Sequence, residues 1–185
     1  MCSYIMNSPS LTSQHGNVAS PERVIDHNVV SVAAPSIELL DKIKETREVL
    51  DYFGIPYEIS IVAAHRAPKK ALKYIEELEA KGIEVVIACG SGSAHLPGMI
   101  ASLTSIPVIG IPLVNNSLGG IDSLLTMLQM PTGVPVATVG VESAYNAAVM
   151  ACQILSLKYP HIKDRIWSHK EMLEQNVERE DTSLS

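Results

Sequence analysis

Glu84-Val85-Val86-Ile87-Ala88-Cys89-Gly90-Ser91-Gly92-Ser93-Ala94-His95-Leu96-Pro97-Gly98 is the stretch on which the fold turns. Its first part is an apolar run of strand length with no polar alternation, the pattern of a strand covered on both faces. Its second part is a turn of small residues that ends in a histidine. A strand buried on both sides needs helices above and below it, and parallel neighbours reached through right-handed crossovers. The residues outward from it meet that requirement. Runs of strand length cover 28–33, 57–62, 106–112 and 134–140, which with 84–89 predict five strands. Segments of helical period or helix-forming composition cover 36–52, 68–81, 96–104, 121–130 and 143–157. Their alternation predicts an α/β fold, a three-layer sandwich with a parallel sheet.

The flanks read differently. Residues 1–27 are rich in Ser, Asn, Thr, Pro and Gly and predict a flexible lead-in to one α/β unit over 28–157. Residues 158–185 form a helical tail, with a mixed-charge helix over 164–179 whose apolar anchors are Ile166, Trp167 and Met172. At about 150 residues per domain, 185 residues hold one domain with a remainder. Hydrophobic residues make up 46% of the chain and aromatics only 4%, so Val, Ile, Leu and Ala must fill the core. Fourteen basic against twenty acidic residues give a net charge of −6, without the basic excess of a nucleic-acid or anionic-membrane partner. No apolar run approaches the roughly 18 residues of a membrane span, and Met1-Cys2-Ser3-Tyr4-Ile5-Met6 lacks the form of a signal peptide. Cys2, Cys89 and Cys152 match neither a disulfide framework nor a zinc site, so a cytoplasmic protein is expected.

Ligands of open parallel sheets bind at the carboxyl ends of the strands. Ser36, after the first strand, can cap a helix and leave its amides to an anion, or simply cap. The second strand runs into Ala63-Ala64-His65-Arg66-Ala67-Pro68, where an imidazole and a guanidinium stand side by side before a helix start. The Gly90 to Gly98 turn fits neither the dinucleotide fingerprint nor a P-loop, yet it holds His95. The loops containing Asn115-Asn116-Ser117 and Gln129-Met130-Pro131-Thr132-Gly133 read equally well as turns or as ligand contacts. Of the six histidines only His65 and His95 fall at strand ends, and no metal-ligand spacing occurs, so neither metal nor cofactor is expected. Cys89 reads as a buried thiol before it reads as a nucleophile. Asp122 and Glu142 read as lone carboxylates.

At these residues the chain resembles the PurE family, the class I carboxyaminoimidazole ribonucleotide mutases, also called phosphoribosylaminoimidazole carboxylase catalytic subunits. The resemblance is carried by Phe53-Gly54-Ile55-Pro56-Tyr57-Glu58, Ala64-His65-Arg66, Ala94-His95-Leu96-Pro97-Gly98-Met99, Pro107-Val108-Ile109-Gly110, Gly120-Ile121-Asp122-Ser123-Leu124-Leu125 and the run from Gln129 to Val139. It implies a flavodoxin-like sandwich, a homo-octamer with sites between subunits, and a metal-free transfer of CO2 from an exocyclic nitrogen to a ring carbon of an aminoimidazole ribonucleotide. Under it His65 is the general acid and base. His95 joins it as catalytic and, with Ser91, Gly92, Ser93 and Ala94, walls the imidazole and the departing CO2. Arg66 and Ser36 hold phosphate, and Ala64 contacts substrate.

The chain departs from the family where the nucleotide is held. The usual Gly-Ser-x-Ser-Asp loop reads Pro35-Ser36-Ile37-Glu38-Leu39, and Ala63 replaces the serine before Ala-His-Arg. Two further readings therefore stand beside the mutase: a diverged paralogue acting on another small carboxylated substrate, and a non-catalytic oligomeric binding protein.

Overall fold

The computed structural model describes residues 25–115 and 118–183. Five parallel strands form one sheet in the order β2-β1-β3-β4-β5: β1 (Val30–Ala34), β2 (Tyr57–Ile61), β3 (Val85–Ser91), β4 (Val108–Leu113) and β5 (Ala137–Thr138). Among the described residues seven helices join or follow them: α1 (Ile37–Lys42), α2 (Lys44–Phe53), α3 (Pro68–Ala80), α4 (His95–Ala101), α5 (Ile121–Leu128), α6 (Ala144–Leu155) and α7 (Pro160–Ser183). This is the predicted three-layer, flavodoxin-like sandwich.

Side chains alternate along β3 between two cores, as the strand period requires. Val85, Ile87 and Cys89 face α2 and α6, whereas Val86 and Ala88 face α3 and α4. Every residue of β1 and β4 is buried, which is why neither shows polar alternation. The edge strand β2 is only partly covered.

Three elements differ from expectation. The single helix predicted over 36–52 is two, because Ile43 leaves helical geometry (φ −110°, ψ 24°) and drives a fully buried side chain into the core. That break leaves α1 with no buried residue and lays Val49, Leu50 and Phe53 of α2 on the sheet. The fifth strand shrinks from 134–140 to Ala137–Thr138, since Val134 N–H closes a turn on the Pro131 carbonyl and Pro135 has no N–H to donate. The tail helix starts at Pro160 and is 24 residues long.

Of the expected anchors of α7, Ile166 is buried and Trp167 and Met172 are not. Ile162, Ile166 and His169 form its buried stripe at helical spacing, while Trp167 points away and is 57% exposed and Met172 lies beyond the docked part. Arg165 Nη1 donates to the Phe53 carbonyl at 2.6 Å, closing the carboxyl end of α2. The His169 ring packs against Tyr52, Phe53 and Tyr145 with centroid separations of 5.8, 5.5 and 6.0 Å, and its Nε2 lies 3.2 Å from the Tyr145 hydroxyl. His169→Ala is expected to cost about 2–3 kcal/mol, as other large-to-small changes at buried sites do. Hydrogen exchange should then accelerate along α7 and leave β1 and β3 protected, and unchanged exchange in α7 would show that the ring does not hold the helix.

Candidate active site

β1 pairs with β2 on one side and β3 on the other, so the chain reverses its direction of travel across the sheet at β1. Their carboxyl ends therefore open beside one another, at a topological switch point. After β1, Ser36 is extended (φ −155°, ψ 166°) and its hydroxyl accepts the Leu39 N–H at 3.4 Å, capping α1. After β2, the N–H groups of Arg66 and Ala67 both bond the Ala63 carbonyl, winding a tight turn that Pro68 converts into α3. That turn presents His65 and sends the Arg66 guanidinium back to the Pro35 carbonyl at 3.0 Å.

After β3, Gly92 (φ 62°) and Ala94 (φ 40°, ψ 38°) are both left-handed, and Ala94 caps α4 directly before His95. A left-handed alanine costs on the order of 1–2 kcal/mol and persists only where its surroundings hold it. Gly90 provides the room, since a methyl group there would lie 3.0 Å from the Ala94 Cα. The outcome is an edge-to-face pair of imidazoles, His65 and His95, with ring centroids 5.1 Å apart and planes at 82°.

The pair stands between two cavities. One, of about 360 Å³, is closed by Pro35, Leu39, Val62 and Leu96 and carries the polar side chains Ser91 and Ser93. The other, of about 450 Å³, is bounded by Met99, Ser102, Thr126, Met130, Pro131 and Val134. Ala64, His65, Ala94 and His95 line both. Gly98 lets Met130 close down on α4, because a methyl group there would meet the Met130 thioether at 2.8 Å.

Of the residues singled out in the sequence, the structure brings Ala64, His65, Ser91, Ser93, Ala94 and His95 to these cavities. Ser36, Arg66 and Gly92 do not line them: Ser36 and Arg66 meet at the Pro35 peptide on the rim, and the Gly92 N–H turns to Ser123. Glu38 is exposed on α1 and lines neither cavity. Pro35, Leu39 and Val62 do, although apolar residues beside polar ones carry no chemical signal; Met130 and Pro131 belong to a loop that the sequence leaves open between turn and ligand contact. Asp122 and Glu142 are not lone carboxylates. Asp122 accepts from the Asn115 amide at 2.8 Å, and Glu142 lies 3.7 Å from Lys42, which also donates to the Val114 carbonyl. Among the described residues no three His, Cys, Asp or Glu side chains are grouped to hold a metal ion, and no helix is long and apolar enough to cross a membrane.

A family model described as AIR carboxylase matches residues 29–176. The chain belongs to the AIR carboxylase family. It is 47% identical over 150 residues to the N5-carboxyaminoimidazole ribonucleotide mutase of Pyrococcus horikoshii, covering 81% of this chain and 85% of the relative. Identity to the Thermotoga maritima protein of the same name is 49% over 138 residues, covering 75% and 81%. A crystal structure of Treponema denticola PurE superposes with a TM-score of 0.76 at 26% identity, covering 84% of this chain and 98% of that one. The AIR carboxylase match runs on through most of α7, so the docked part of the tail falls within the family's span.

Cys89 takes no part in this site as a nucleophile. It is fully buried at the end of β3, and burial pushes its thiol up to about 12; Cys152, buried in α6, is pushed up to about 12 for the same reason. With an aromatic disulfide reagent at pH 8, both cysteines should stay unmodified in the native protein and react only after denaturant is added. Rapid native labelling of Cys89 would reinstate it as a nucleophile.

Proposed function

We propose that this protein is a carboxyaminoimidazole ribonucleotide mutase of purine biosynthesis, with residues 28–157 as the catalytic unit and the tail from 158 strapped to it. The observation that carries this reading is the His65–His95 pair over two cavities at the switch point, in a member of the AIR carboxylase family. In the reaction the bond between the exocyclic nitrogen and the carboxylate carbon breaks. CO2 departs, and the nitrogen takes a proton from His65. The ring carbon then attacks CO2, a carbon–carbon bond forms, and the same imidazole removes the proton from that carbon. One group can serve both steps because an imidazole gives and takes protons near neutral pH.

His95, Ser91, Ser93 and Ala94 wall the imidazole ring and keep CO2 from water. Arg66 holds the phosphate at the rim beside Ser36, and Ala64 lies against the substrate. No metal or cofactor enters the reading. The enzyme works as a cytoplasmic homo-octamer, supported by the exposed apolar side chains Leu118, Ile121, Leu125 and Leu128 along one edge of the molecule.

One observation favours a second reading, a paralogue acting on another small carboxylated substrate. Pro35 and Leu39 give the smaller cavity an apolar wall, where the resemblance places a carboxylate that bonds ribose. The two readings part in a CO2-transfer assay with carboxyaminoimidazole ribonucleotide. His65→Asn should lower turnover by roughly 100-fold to 10,000-fold, the usual loss of a general acid and base. The double variant Glu38→Ser with Leu39→Asp should raise turnover above a weak wild type. A wild type inactive on the nucleotide, with no gain in the double variant, selects the paralogue. Sedimentation of the native protein should show an octamer, and a monomer at micromolar concentration would remove any site shared between subunits.

A further inference from the structure

Ser123 lies in the first turn of α5, is fully buried, and touches neither cavity. Its hydroxyl makes two hydrogen bonds, accepting the Gly92 N–H at 2.8 Å and donating to the Leu113 carbonyl at 2.8 Å. The parallel ladder between β3 and β4 ends at the pair Ser91 and Leu113. One residue further, the link between the two chains runs through this hydroxyl oxygen. A direct amide-to-carbonyl bond would hold donor and acceptor about 3 Å apart. Two bonds in series through an interposed oxygen hold them wider and splay the Gly92 turn away from β4.

What the splay sets is the turn itself. Gly92 adopts φ 62°, the Ala94 N–H returns to the Ser91 carbonyl at 3.2 Å, Ala94 takes φ 40°, and His95 follows as the first residue of α4. The turn is tightly bounded, since a methyl group on Gly92 would lie 2.9 Å from the Asn115 amide nitrogen. Asn115 in turn donates to Asp122, the residue before Ser123, so the start of α5 and the Gly92 turn are clamped at adjacent points. We infer that Ser123 is a positioning residue, which holds the Ser91–Ala94 turn and so places the His95 ring against His65. The inference rests on the reading that this imidazole pair does the proton transfer and encloses CO2.

The test uses the full chain carrying Ser123→Ala, the nearly isosteric Ser123→Cys, or Ser123→Thr, which keeps the hydroxyl. Turnover of carboxyaminoimidazole ribonucleotide is followed beside the through-space NMR contact between the labelled His65 and His95 rings. Ala and Cys should lower kcat by about tenfold to a hundredfold with KM changed by less than about threefold, the cost of misplacing a group by a fraction of an ångström to 1 Å. The ring-to-ring contact should weaken in both, while Thr keeps at least about a third of the wild-type kcat. A Cys variant that is folded by circular dichroism and retains both the kcat and the ring contact overturns the proposal, as does a loss of kcat with the ring contact intact. A wild type without turnover whose ring contact is nevertheless lost on Ser123→Ala overturns the mutase reading and leaves Ser123 in its positioning role.

Discussion

The double pairing of β1 is the constraint on which the rest of this structure depends. Val30 lies opposite both Tyr57 and Val85, and Ala33 opposite both Ser60 and Ala88, so the backbone of β1 has a hydrogen-bonding neighbour on each side. A strand so placed is buried on every side, and the crossover from β1 to β2 travels the opposite way to the one that returns from β2 past β1 to β3, so two right-handed crossovers lie on opposite faces of the sheet. α2 and α6 consequently cover one face, and α3 and α4 the other. The loops after β1, β2 and β3 are left to meet at a single edge. His65 and His95, far apart in the chain, come together because their strands flank the same third strand.

Small side chains at that edge make the meeting productive. Ala34, Ala63, Ala64, Gly90, Ser91 and Ala94 end or follow the three strands. None fills the space in front of the sheet, so the imidazoles and the cavities occupy it. The charges near the site stand outside the cavities: Arg66 binds the Pro35 carbonyl on the rim, Glu38 is exposed on α1, and Lys42 holds the Val114 carbonyl. Within the cavities the polar side chains are imidazoles and hydroxyls. Such a lining suits the proposed transfer, in which a neutral gas must be retained and a proton moved, and an ion inside would draw in water.

The position of α7 is set where aromatic side chains of α2 and α6 meet it. With aromatics at only 4% of the chain, Tyr52, Phe53, Tyr145 and His169 are gathered into one cluster where α2, α6 and α7 meet. The Arg165 bond to the Phe53 carbonyl caps α2 from outside its own sequence. Gly54, left-handed at φ 65°, makes that approach possible, since a methyl group there would collide with the guanidinium.

Period and composition alone determined the five strands, their alternation with helices, and the placement of His65 and His95 at strand ends. These are local properties: an apolar run, a proline at a helix start and a turn of small residues are each legible within about ten positions. The resemblance carried by short motifs named the family that the match over residues 29–176 shows. What the tertiary structure alone decided depends on partners far apart in sequence. Ile43 interrupts a helix because a core built from other elements takes its side chain. Leu39 and Pro35 line a cavity whose other walls come from the segment after β2, the end of β3 and the start of α4. His169, not Trp167, anchors the tail, because only Ile162, Ile166 and His169 share the face turned to α2 and α6. Ser123 bonds Gly92 and Leu113, 31 and 10 positions away. A serine in an amphipathic segment carries no mark of such a role, since a hydroxyl takes its meaning from the donor and acceptor that the folded chain sets on either side of it.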